Sequence, residues 1–468
     1  MKIVTVGGGI CGLGTALLLA RDGHEVLLLE RDPAPLPTST QDAWQRWERK
    51  GVVQFRQPHN FMPGLRILLE AELPDVQEAL GRAGAGRFDF VNPLPPSFSD
   101  RSPRPIDEQL WTLTGRRPVC EWVFGQAAQQ QPRLSVRTGV RVSELLTGTA
   151  VVSGRPHVTG VRTAAGEEIR ADLVVDASGR QSACPQWLTA IGAPAPYEVQ
   201  ADSGFTYYTR YFAGTQPERI GPALTPFQSI SLLTLPGDNG TWSITVFTAS
   251  GDQPLKALRN EEAWTRTVRA CPLQAHWLDG EPITPVLPMS GIVDRYRRFV
   301  VDGIPVATGI VGVADAWACT NPSAGRGMTV GMLHARHLRD VLRTAAEGPR
   351  SIVEEFDRRT EAHVAPWYHA QIAADQARFA EMDAVREGRP VPQPGALAQQ
   401  IGALFGTMMA DPDLFRAALE YVATITPVQT ILERPAVAER MAAVRRAMSG
   451  PPPAIPGPNR AQVLQLIA

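Results

Sequence analysis

Residues 1–32, MKIVTVGGGICGLGTALLLARDGHEVLLLERD, decide the fold of this chain. Lys2–Val6 is a short run of β-forming residues, and Gly7–Gly12 follows it at once with the spacing G-x-G-x-x-G. Leu13–Arg21 is rich in good helix formers, and Glu25–Glu30 is a second apolar run that ends in an acid. A strand, a glycine loop, a helix and a strand in this order predict a nucleotide-binding unit of the Rossmann type.

Each glycine of the motif has a physical role in this unit. Gly7 permits the tight turn, Gly9 allows a pyrophosphate to approach the backbone, and Gly12 allows the helix to pack closely on the strand. The free amides at the helix N-terminus attract phosphate, and Glu30 can accept hydrogen bonds from ribose hydroxyls. A dinucleotide site is therefore predicted, although this element alone does not distinguish NAD from FAD.

Composition narrows the class of protein. The chain has 468 residues, 44% hydrophobic and 20% charged, which indicates a globular protein with sizeable cores and excludes disordered or collagen-like chains. The formal net charge of -1 provides no basic field that would attract nucleic acid or anionic lipid.

Five widely spaced cysteines predict reduced thiols rather than a disulfide framework, and no metal-ligand cluster is evident. The lack of a signal sequence and of a long apolar run predicts a cytoplasmic protein without a membrane span.

The middle of the chain predicts two groups of strands. Three alternating runs between Leu134 and Thr163 predict a small antiparallel insertion. Phe205–Ala213 and Ser229–Thr248 predict a second, aromatic sheet that could cover an apolar ligand, with an ordinary sheet core as the alternative. From Ser351 onward the chain is mostly helical in pattern. The candidate substrate-contacting residues on the aromatic sheet are Tyr207, Tyr208, Tyr211 and Trp242.

A second glycine-rich element lies near residue 320. Val306–Val313 predicts a glycine-containing strand, which is followed by Asp315 and then by the loop Asn321–Met328. A long helix to about Thr344 begins beneath the loop glycines, so its free amides would stabilise an anion or an electron-rich carbonyl. His59, in a polar loop earlier in the chain, is a candidate for facing a ligand, with a satisfied loop histidine as the alternative.

These residues together resemble the FAD-dependent monooxygenases of the para-hydroxybenzoate hydroxylase fold, and most closely the bacterial squalene-epoxidase-like enzymes and their flavin halogenase relatives. The first glycine motif with Glu30 matches the family's first FAD motif, and Arg117 with Glu121 resembles its arginine-containing helix. Asp315 with the glycines after Pro322 resembles the family's Gly-Asp motif, in which Ala314 replaces the glycine.

The resemblance implies non-covalent FAD and a set of site residues. The residues that it assigns to FAD binding are Gly7, Gly9, Gly12, Glu30, Arg31, Lys50, Arg117, Val142, Asp315, Gly325, Gly327 and Met328. Those that it assigns to the flavin-ring environment are Pro322, Gly325, Arg326 and Gly327, with His59 as a further candidate.

The implied fold is α/β. It consists of a Rossmann-like FAD-binding domain of the glutathione-reductase type, an inserted antiparallel-sheet substrate domain of α+β type, and a helical C-terminal region. The expected FAD-binding domain comprises residues 1–75, 108–185 and 290–345, the substrate domain 76–107 and 186–289, and the C-terminal region 346–468.

The family's middle motif is altered in this chain. Self-reducing hydroxylases carry an aspartate where Ser178 stands and an arginine where Pro185 stands, while Gly179 and Ser182 fit the pattern. The resemblance therefore implies that NAD(P)H acts only as an indirect electron source, through a separate flavin reductase.

The leading hypothesis is a monooxygenase that forms a flavin C4a-hydroperoxide and delivers one oxygen atom to an apolar or aromatic small molecule, giving an epoxide or a phenol. A flavin-dependent halogenase is the nearest alternative, but that class needs an active-site lysine, and Lys50 is the only candidate. An FAD-dependent reductase or dehydrogenase of an isoprenoid-like substrate, and a non-catalytic relative that binds lipidated partners, are further alternatives.

Overall fold

The computed structural model describes residues 1–201, 204–344, 348–448, 450 and 455–468. The strands in chain order are β1 (Lys2–Val6), β2 (Glu25–Glu30), β3 (Gly86–Asp89), β4 (Trp111–Thr114), β5 (Leu134–Thr138), β6 (Val142–Val152), β7 (Arg155–Thr163), β8 (Glu168–Arg170), β9 (Leu173–Asp176), β10 (Tyr197–Ala201), β11 (Phe205–Ala213), β12 (Leu224–Pro226), β13 (Ile230–Pro236), β14 (Thr241–Ala249), β15 (Glu281–Pro282), β16 (Leu287–Met289), β17 (Asp294–Arg298), β18 (Val300–Val301), β19 (Ile304–Pro305), β20 (Ile310–Gly312) and β21 (Ala318–Cys319).

The α-helices alternate with these strands in the first part of the chain and dominate its last part. They are α1 (Ile10–Arg21), α2 (Thr40–Gln45), α3 (Pro63–Glu72), α4 (Pro74–Arg82), α5 (Arg117–Gln130), α6 (Cys184–Ala190), α7 (Glu261–Arg269), α8 (Gly327–Thr344), α9 (Pro349–His363), α10 (Ala365–Glu387), α11 (Ala396–Met408), α12 (Pro412–Val422), α13 (Val428–Leu432), α14 (Pro435–Ala447) and α15 (Arg460–Ile467).

The nucleotide-binding sheet has five parallel strands in the order β20-β9-β1-β2-β5. Strands β1 and β9 are almost entirely buried because packed elements cover both faces of the sheet, as is usual for parallel sheets. Helix α1 packs so tightly against α8 that a Cβ on Gly14 would lie 2.2 Å from the sulfur of Met332. The predicted α/β fold with a Rossmann-like core is confirmed.

One strand was assigned to the wrong sheet by its sequence pattern. The run Leu134–Arg137 is predicted to belong to the antiparallel insertion, but the strand that contains it, β5, pairs in parallel with β2 at the edge of the nucleotide-binding sheet. An edge strand is only partly covered. Along β5 only Leu134 is buried and the other residues are half-buried or exposed, so the strand lacks the continuous apolar run that is typical of a central parallel strand. The rest of the insertion is antiparallel as predicted, in the order β6-β7-β8.

The aromatic sheet has the order β12-β13-β14-β11-β15, with β16 also paired to β11, and every pairing is antiparallel. Successive side chains on β11 point to opposite faces. Tyr208 and Phe212 pack with Trp264 of α7 and with Val463 of α15, whereas Tyr207 packs on the opposite face with Met382 of α10. Helices therefore cover both faces of this sheet.

The C-terminal helices pack back onto both sheets. Arg378 of α10 donates a hydrogen bond to the carbonyl oxygen of Ile230 at 2.7 Å, which ties this helix to the start of β13. The predicted helical C-terminal region is confirmed, while the residue boundaries of the three domains stay a prediction.

All five cysteines are free. Among the described residues, no helix combines the length and the apolar character that crossing a membrane requires.

Candidate cofactor and active site

A cavity of about 660 Å³ lies at the carboxyl ends of the parallel strands. Its lining includes Gly7 after β1, Glu30 at the end of β2, Ala177 after β9 and Ala314 after β20. Ligands of parallel α/β sheets bind at this edge, because the loops that follow the strands and the helix N-termini converge there. Both glycine-rich elements of the sequence therefore meet in one cavity.

The glycine loop of the first element leaves room for a ligand at one position only. A Cβ on Gly12 would lie 2.0 Å from the carbonyl oxygen of Gly7, and a Cβ on Gly7, whose φ is +108°, would lie 2.5 Å from the oxygen of Ala177. A Cβ on Gly9 would meet nothing within 4 Å. Gly9 is the N-cap of α1 and has no side-chain cap, so the helix amides are available to an anion at this point.

Glu30 is held in place by three donors. Its Oε2 accepts hydrogen bonds from the Gly8 amide and from Arg49 Nη2, both at 2.7 Å, and its Oε1 accepts from the Asp32 amide at 2.8 Å. Arg49 also donates to Asp32 and to the fully buried Glu121, and its side chain is only 5% exposed. Glu30 therefore faces the cavity as one member of a buried ionic cluster, which consists of Glu30, Asp32, Arg49, Arg117 and Glu121.

The two other basic candidates near Glu30 differ in position. Arg31 lines the cavity, and its Nη2 lies 3.3 Å from the side-chain oxygen of Gln181. Lys50 is exposed and lies outside the set of described residues that line the cavity. The assignment of Lys50 to the cofactor site is therefore corrected. Its neighbour Arg49 points inward instead, because one guanidinium group can donate hydrogen bonds to three carboxylates at once.

Arg117 and His59 meet at the wall of the cavity. Arg117 Nη1 lies 2.8 Å from His59 Nε2, its Nε donates to Glu121 at 3.2 Å, and His59 Nδ1 lies 2.8 Å from the Gln57 carbonyl oxygen. Burial and the charge of Arg117 lower the pKa of His59 to about 3. The histidine is therefore neutral, with Nδ1 donating to Gln57 and Nε2 accepting from Arg117.

Asp315 presents its carboxylate to the cavity and makes no hydrogen bond with the other described residues. Burial raises its pKa, while the charges of Arg117, Arg180 and Arg295 lower it. The preceding residue, Ala314, has a φ of +52°, which is the left-handed region in which the family pattern has glycine. Its amide donates to Nδ1 of the buried His334 at 3.2 Å, and this bond supports the turn that aims Asp315.

The loop before α8 supplies the opposite wall. Pro322, Gly325, Arg326, Gly327 and Met328 all line the cavity. Gly325 has a φ of +67°, and α8 begins at Gly327, so the first amides of an 18-residue helix are directed towards this wall. Val142 on β6 also lines the cavity, and the amide of Val140, just before this strand, donates to the Glu30 carbonyl oxygen at 2.9 Å.

The four aromatic residues proposed to contact substrate are buried in the aromatic sheet and lie outside the described lining of the cavity. Tyr208 and Trp242 pack on the face covered by α7 and α15, and Trp242 Nε1 donates to the Trp277 oxygen at 2.9 Å. Tyr207 and Tyr211 lie on the other face, where Tyr207 contacts Phe247 and Tyr211 contacts Trp44. The substrate prediction is therefore corrected: strand alternation turns two of these side chains away, and neighbouring side chains cover the other two.

The altered middle motif forms a buried hydrogen-bond network. The Ser178 amide donates to Asp176 at 3.0 Å, and the hydroxyls of Ser178 and Ser182 also donate to this fully buried carboxylate. Pro185 lies in the first turn of α6. Arg180 and Arg295 lie close to this turn, and Arg180 lines the cavity. Cations are therefore present near the altered motif, although the family's arginine position is occupied by proline.

Sequence patterns did not reveal two parts of the site. Arg49 lies in a polar stretch in which no periodicity distinguishes it from Arg46 or Lys50. Trp367, Tyr368 and Gln371 of α10 line the end of the cavity beyond Arg326, and only the return of this helix onto the nucleotide-binding sheet brings them there. The aromatic character of Trp367 and Tyr368 was the one signal available in the sequence, and Gln371 gave none.

Comparisons with known proteins support the fold. Residues 2–47 match the family model described as FAD dependent oxidoreductase. The chain is 26% identical over 376 residues to Protein Rv3254 of Mycobacterium tuberculosis (strain ATCC 25618 / H37Rv), and the match covers 76% of each protein.

Solved structures extend this likeness along the chain. The structure of pqsL, a probable FAD-dependent monooxygenase from Pseudomonas aeruginosa, superposes with a TM-score of 0.58 at 14% identity and covers 83% of this chain and 99% of that one. The flavin-dependent brominase Bmp2 superposes with a TM-score of 0.61 at 16% identity and covers 96% of this chain and 99% of that one. At these identities the comparison shows the fold, and the predicted fold class is confirmed.

Proposed function

We propose that this protein, which has the fold of the FAD-dependent monooxygenases, inserts one oxygen atom from O2 into a small, largely apolar or aromatic substrate by epoxidation or hydroxylation. FAD is the expected cofactor, because the family model that matches the N-terminal unit describes FAD-dependent oxidoreductases. The observation that carries the proposal is the single cavity in which both glycine-rich elements meet and which continues past Arg326 to an aromatic end.

The residues of the cavity fit FAD. The open space at Gly9 and the α1 N-terminus suit a pyrophosphate, and the free carboxylate of Asp315 suits a ribityl hydroxyl. When bound, FAD supplies the redox and oxygen-transfer chemistry. The chain's own residues then have three roles: Asp315 orients the cofactor, the amides of Gly327 and Met328 favour negative charge beside them, and the buried rings of Trp367 and Tyr368 exclude water.

Oxygenation is favoured over halogenation by the positions of the lysines. The chain contains only Lys2, Lys50 and Lys256, and none of the three is among the described residues that line the cavity. The halogenases that the sequence resembles need a lysine in the active site.

We predict an oxygenated product that contains no halogen. The purified protein would be supplied with FAD, a flavin reductase, ¹⁸O₂, bromide and a panel of polyene and aromatic substrates, and the products analysed by mass spectrometry. The expected product gains one ¹⁸O atom and no bromine, and Lys50→Ala gives the same product because Lys50 is exposed. A brominated product, above all one that disappears in Lys50→Ala, would establish the halogenase instead.

We further predict that NADPH alone reduces the bound flavin slowly, so that a separate reductase supplies the electrons. The amide and the hydroxyl of Ser178 already donate hydrogen bonds to Asp176, and Pro185 stands where the self-reducing enzymes carry arginine. Stopped-flow absorbance at the flavin band would measure the rate with NADPH and with a reductase. Rapid, saturable bleaching by NADPH that Arg180→Ala abolishes would show that Arg180 replaces the missing arginine and that no partner is needed.

A further inference from the structure

Gln371 is a buried amide in the wall of the cavity. It lies one helical turn after Trp367 on α10, so the two residues share a face of the helix, and both line the cavity. Only 4% of Gln371 is exposed. A glutamine amide has two donor hydrogens and one acceptor oxygen, and buried polar groups of this kind are normally hydrogen-bonded. The partners of Gln371 therefore indicate what the cavity wall offers to a ligand.

The nitrogen of the Gln371 amide has partners on the protein, whereas its oxygen has none. Nε2 donates to the Ser323 hydroxyl at 2.7 Å and to Asp375 Oδ2 at 3.0 Å. Oε1 accepts no hydrogen bond from the described residues, and it keeps some accessible surface, unlike the enclosed and unpaired Oε1 of Gln429. Because Gln371 lines the cavity, a ligand can reach this oxygen.

The surrounding groups fix which way the amide faces. The Ser323 hydroxyl donates its hydrogen to Asp375, so its oxygen is left to accept from Gln371. An ionised carboxylate likewise only accepts hydrogen bonds. Turning the amide over would place Oε1 against two acceptors, and all three residues are less than 9% exposed, so bulk water does not relieve that conflict. Nε2 therefore faces the protein and Oε1 stays unpaired.

We propose that Gln371 Oε1 accepts a hydrogen bond from an N–H or O–H group of the substrate, so that the monooxygenase proposed above selects an aromatic substrate with such a donor. Asp375 and Ser323 are then positioning residues. A substrate without the donor leaves a buried acceptor unpaired, which a binding site penalises more than a small change in apolar surface. Trp367 and Tyr368 supply the apolar surface for the ring. The inference rests on the proposed function for the reaction, whereas the binding preference is measured without turnover.

Indole and benzofuran test the acceptor, because they have nearly the same shape and benzofuran has an oxygen atom in place of the N–H group. Each would be titrated into the FAD-loaded protein by calorimetry. Indole is expected to bind about tenfold more tightly. Burial alone would favour benzofuran, which is the less polar of the two. Gln371→Met removes the acceptor and should abolish the preference, whereas Gln429→Met, outside the described lining of the cavity, should keep it.

The positioning role of Asp375 predicts that the same preference depends on pH. Burial raises the pKa of Asp375 to about 7, against the two hydrogen bonds that it accepts, and the charge of Asp294 raises it further while that of Arg326 lowers it. Tyr207 also faces Asp375, but burial raises the pKa of this phenol, which stays protonated.

Above its pKa the Asp375 carboxylate only accepts, and the Gln371 amide is fixed. Below it the protonated carboxyl can donate, and the amide can turn over. The preference for indole should therefore fall as the pH is lowered from about 8 to about 6, and Asp375→Asn should remove this dependence. A wild-type preference that stays constant over this range would contradict the positioning role of Asp375.

The outcomes separate this inference from the proposed function. Equal binding of indole and benzofuran by the wild-type protein, or no detectable binding of either, overturns the acceptor subsite, and this comparison needs no variant to fold. A Gln371→Met variant that keeps the preference also overturns it. If that variant has lost FAD affinity, measured by fluorescence, Gln371 serves the cofactor instead. If the protein binds no FAD, the proposed function fails, but a preference of the apo-protein for indole that Gln371→Met removes still establishes the acceptor subsite.

Discussion

Replacing Arg49 with alanine is expected to lower the free energy of unfolding of the apo-protein by about 3–5 kcal/mol, because the change leaves the buried carboxylates of Glu30 and Asp32 without a cation and Glu121 with Arg117 alone. Arg49 Nη2 lies 2.7 Å from Glu30, its Nε lies 3.2 Å from Asp32, and its Nη1 contacts Glu121. Glu121 is fully buried and cannot turn to water. Chemical denaturation followed by circular dichroism would measure the loss, and FAD affinity should fall with it because Glu30 loses its position.

Arg350 on α9 offers a matched control. It pairs with Glu354 at 2.7 Å, but its side chain is 55% exposed, so Arg350→Ala should change stability by no more than about 0.5 kcal/mol. A second variant tests the cause of the Arg49 effect. Adding Glu121→Gln to Arg49→Ala should recover part of the loss, because it removes one of the carboxylate charges that Arg117 alone cannot balance. A loss below about 1 kcal/mol for Arg49→Ala would show that the ionic cluster is solvated.

Replacing Gly9 with alanine is expected to weaken FAD binding by about ten- to a hundredfold while leaving the apo-protein as stable as the wild type. A Cβ at this position meets nothing within 4 Å, and Gly9 has a φ of -73° that alanine adopts without strain. The added methyl group would occupy the space in which the pyrophosphate is expected to lie. Fluorescence titration with FAD and thermal unfolding of the apo-protein measure the two effects separately.

An exposed glycine outside the described lining of the cavity serves as the control for this experiment. Gly402 lies within α11, where an added Cβ also meets nothing within 4 Å. Gly402→Ala should leave FAD affinity unchanged and stabilise the protein by up to about 1 kcal/mol through helix propensity. Unaltered FAD affinity in Gly9→Ala would place the pyrophosphate elsewhere and would remove the main physical argument for the cofactor site.

The two predictions address different parts of the same site. The Gly9 substitution tests a backbone surface that the ligand must approach, whereas the Arg49 substitution tests the side-chain cluster that holds Glu30 at the rim of that surface. If both hold, the part of the cavity around Gly9 and Glu30 is already formed in the apo-protein before FAD binds. Such preorganisation lowers the entropy that binding must overcome.

The sequence by itself determined the local elements and the backbone parts of the site. The strand, glycine loop, helix and acid in residues 1–32 predicted the Rossmann-like unit, and Asp315 with Gly325 and Gly327 predicted the second wall of the cavity. These features could be predicted because the spacing of apolar residues indicates secondary structure, and because helix N-termini and glycine turns depend on residues that are close in the chain.

The tertiary structure alone decided which side chains enter the cavity. Arg49 rather than Lys50 turns inward because Glu30, Asp32 and Glu121, which are distant in sequence, surround it. Tyr208 and Trp242 turn away because helices α7 and α15 cover their face of the aromatic sheet. Trp367 reaches the cavity only because α10 returns from the C-terminal region. Packing brings together side chains that lie far apart in the chain, and the sequence next to each of these side chains does not indicate which residue it will contact.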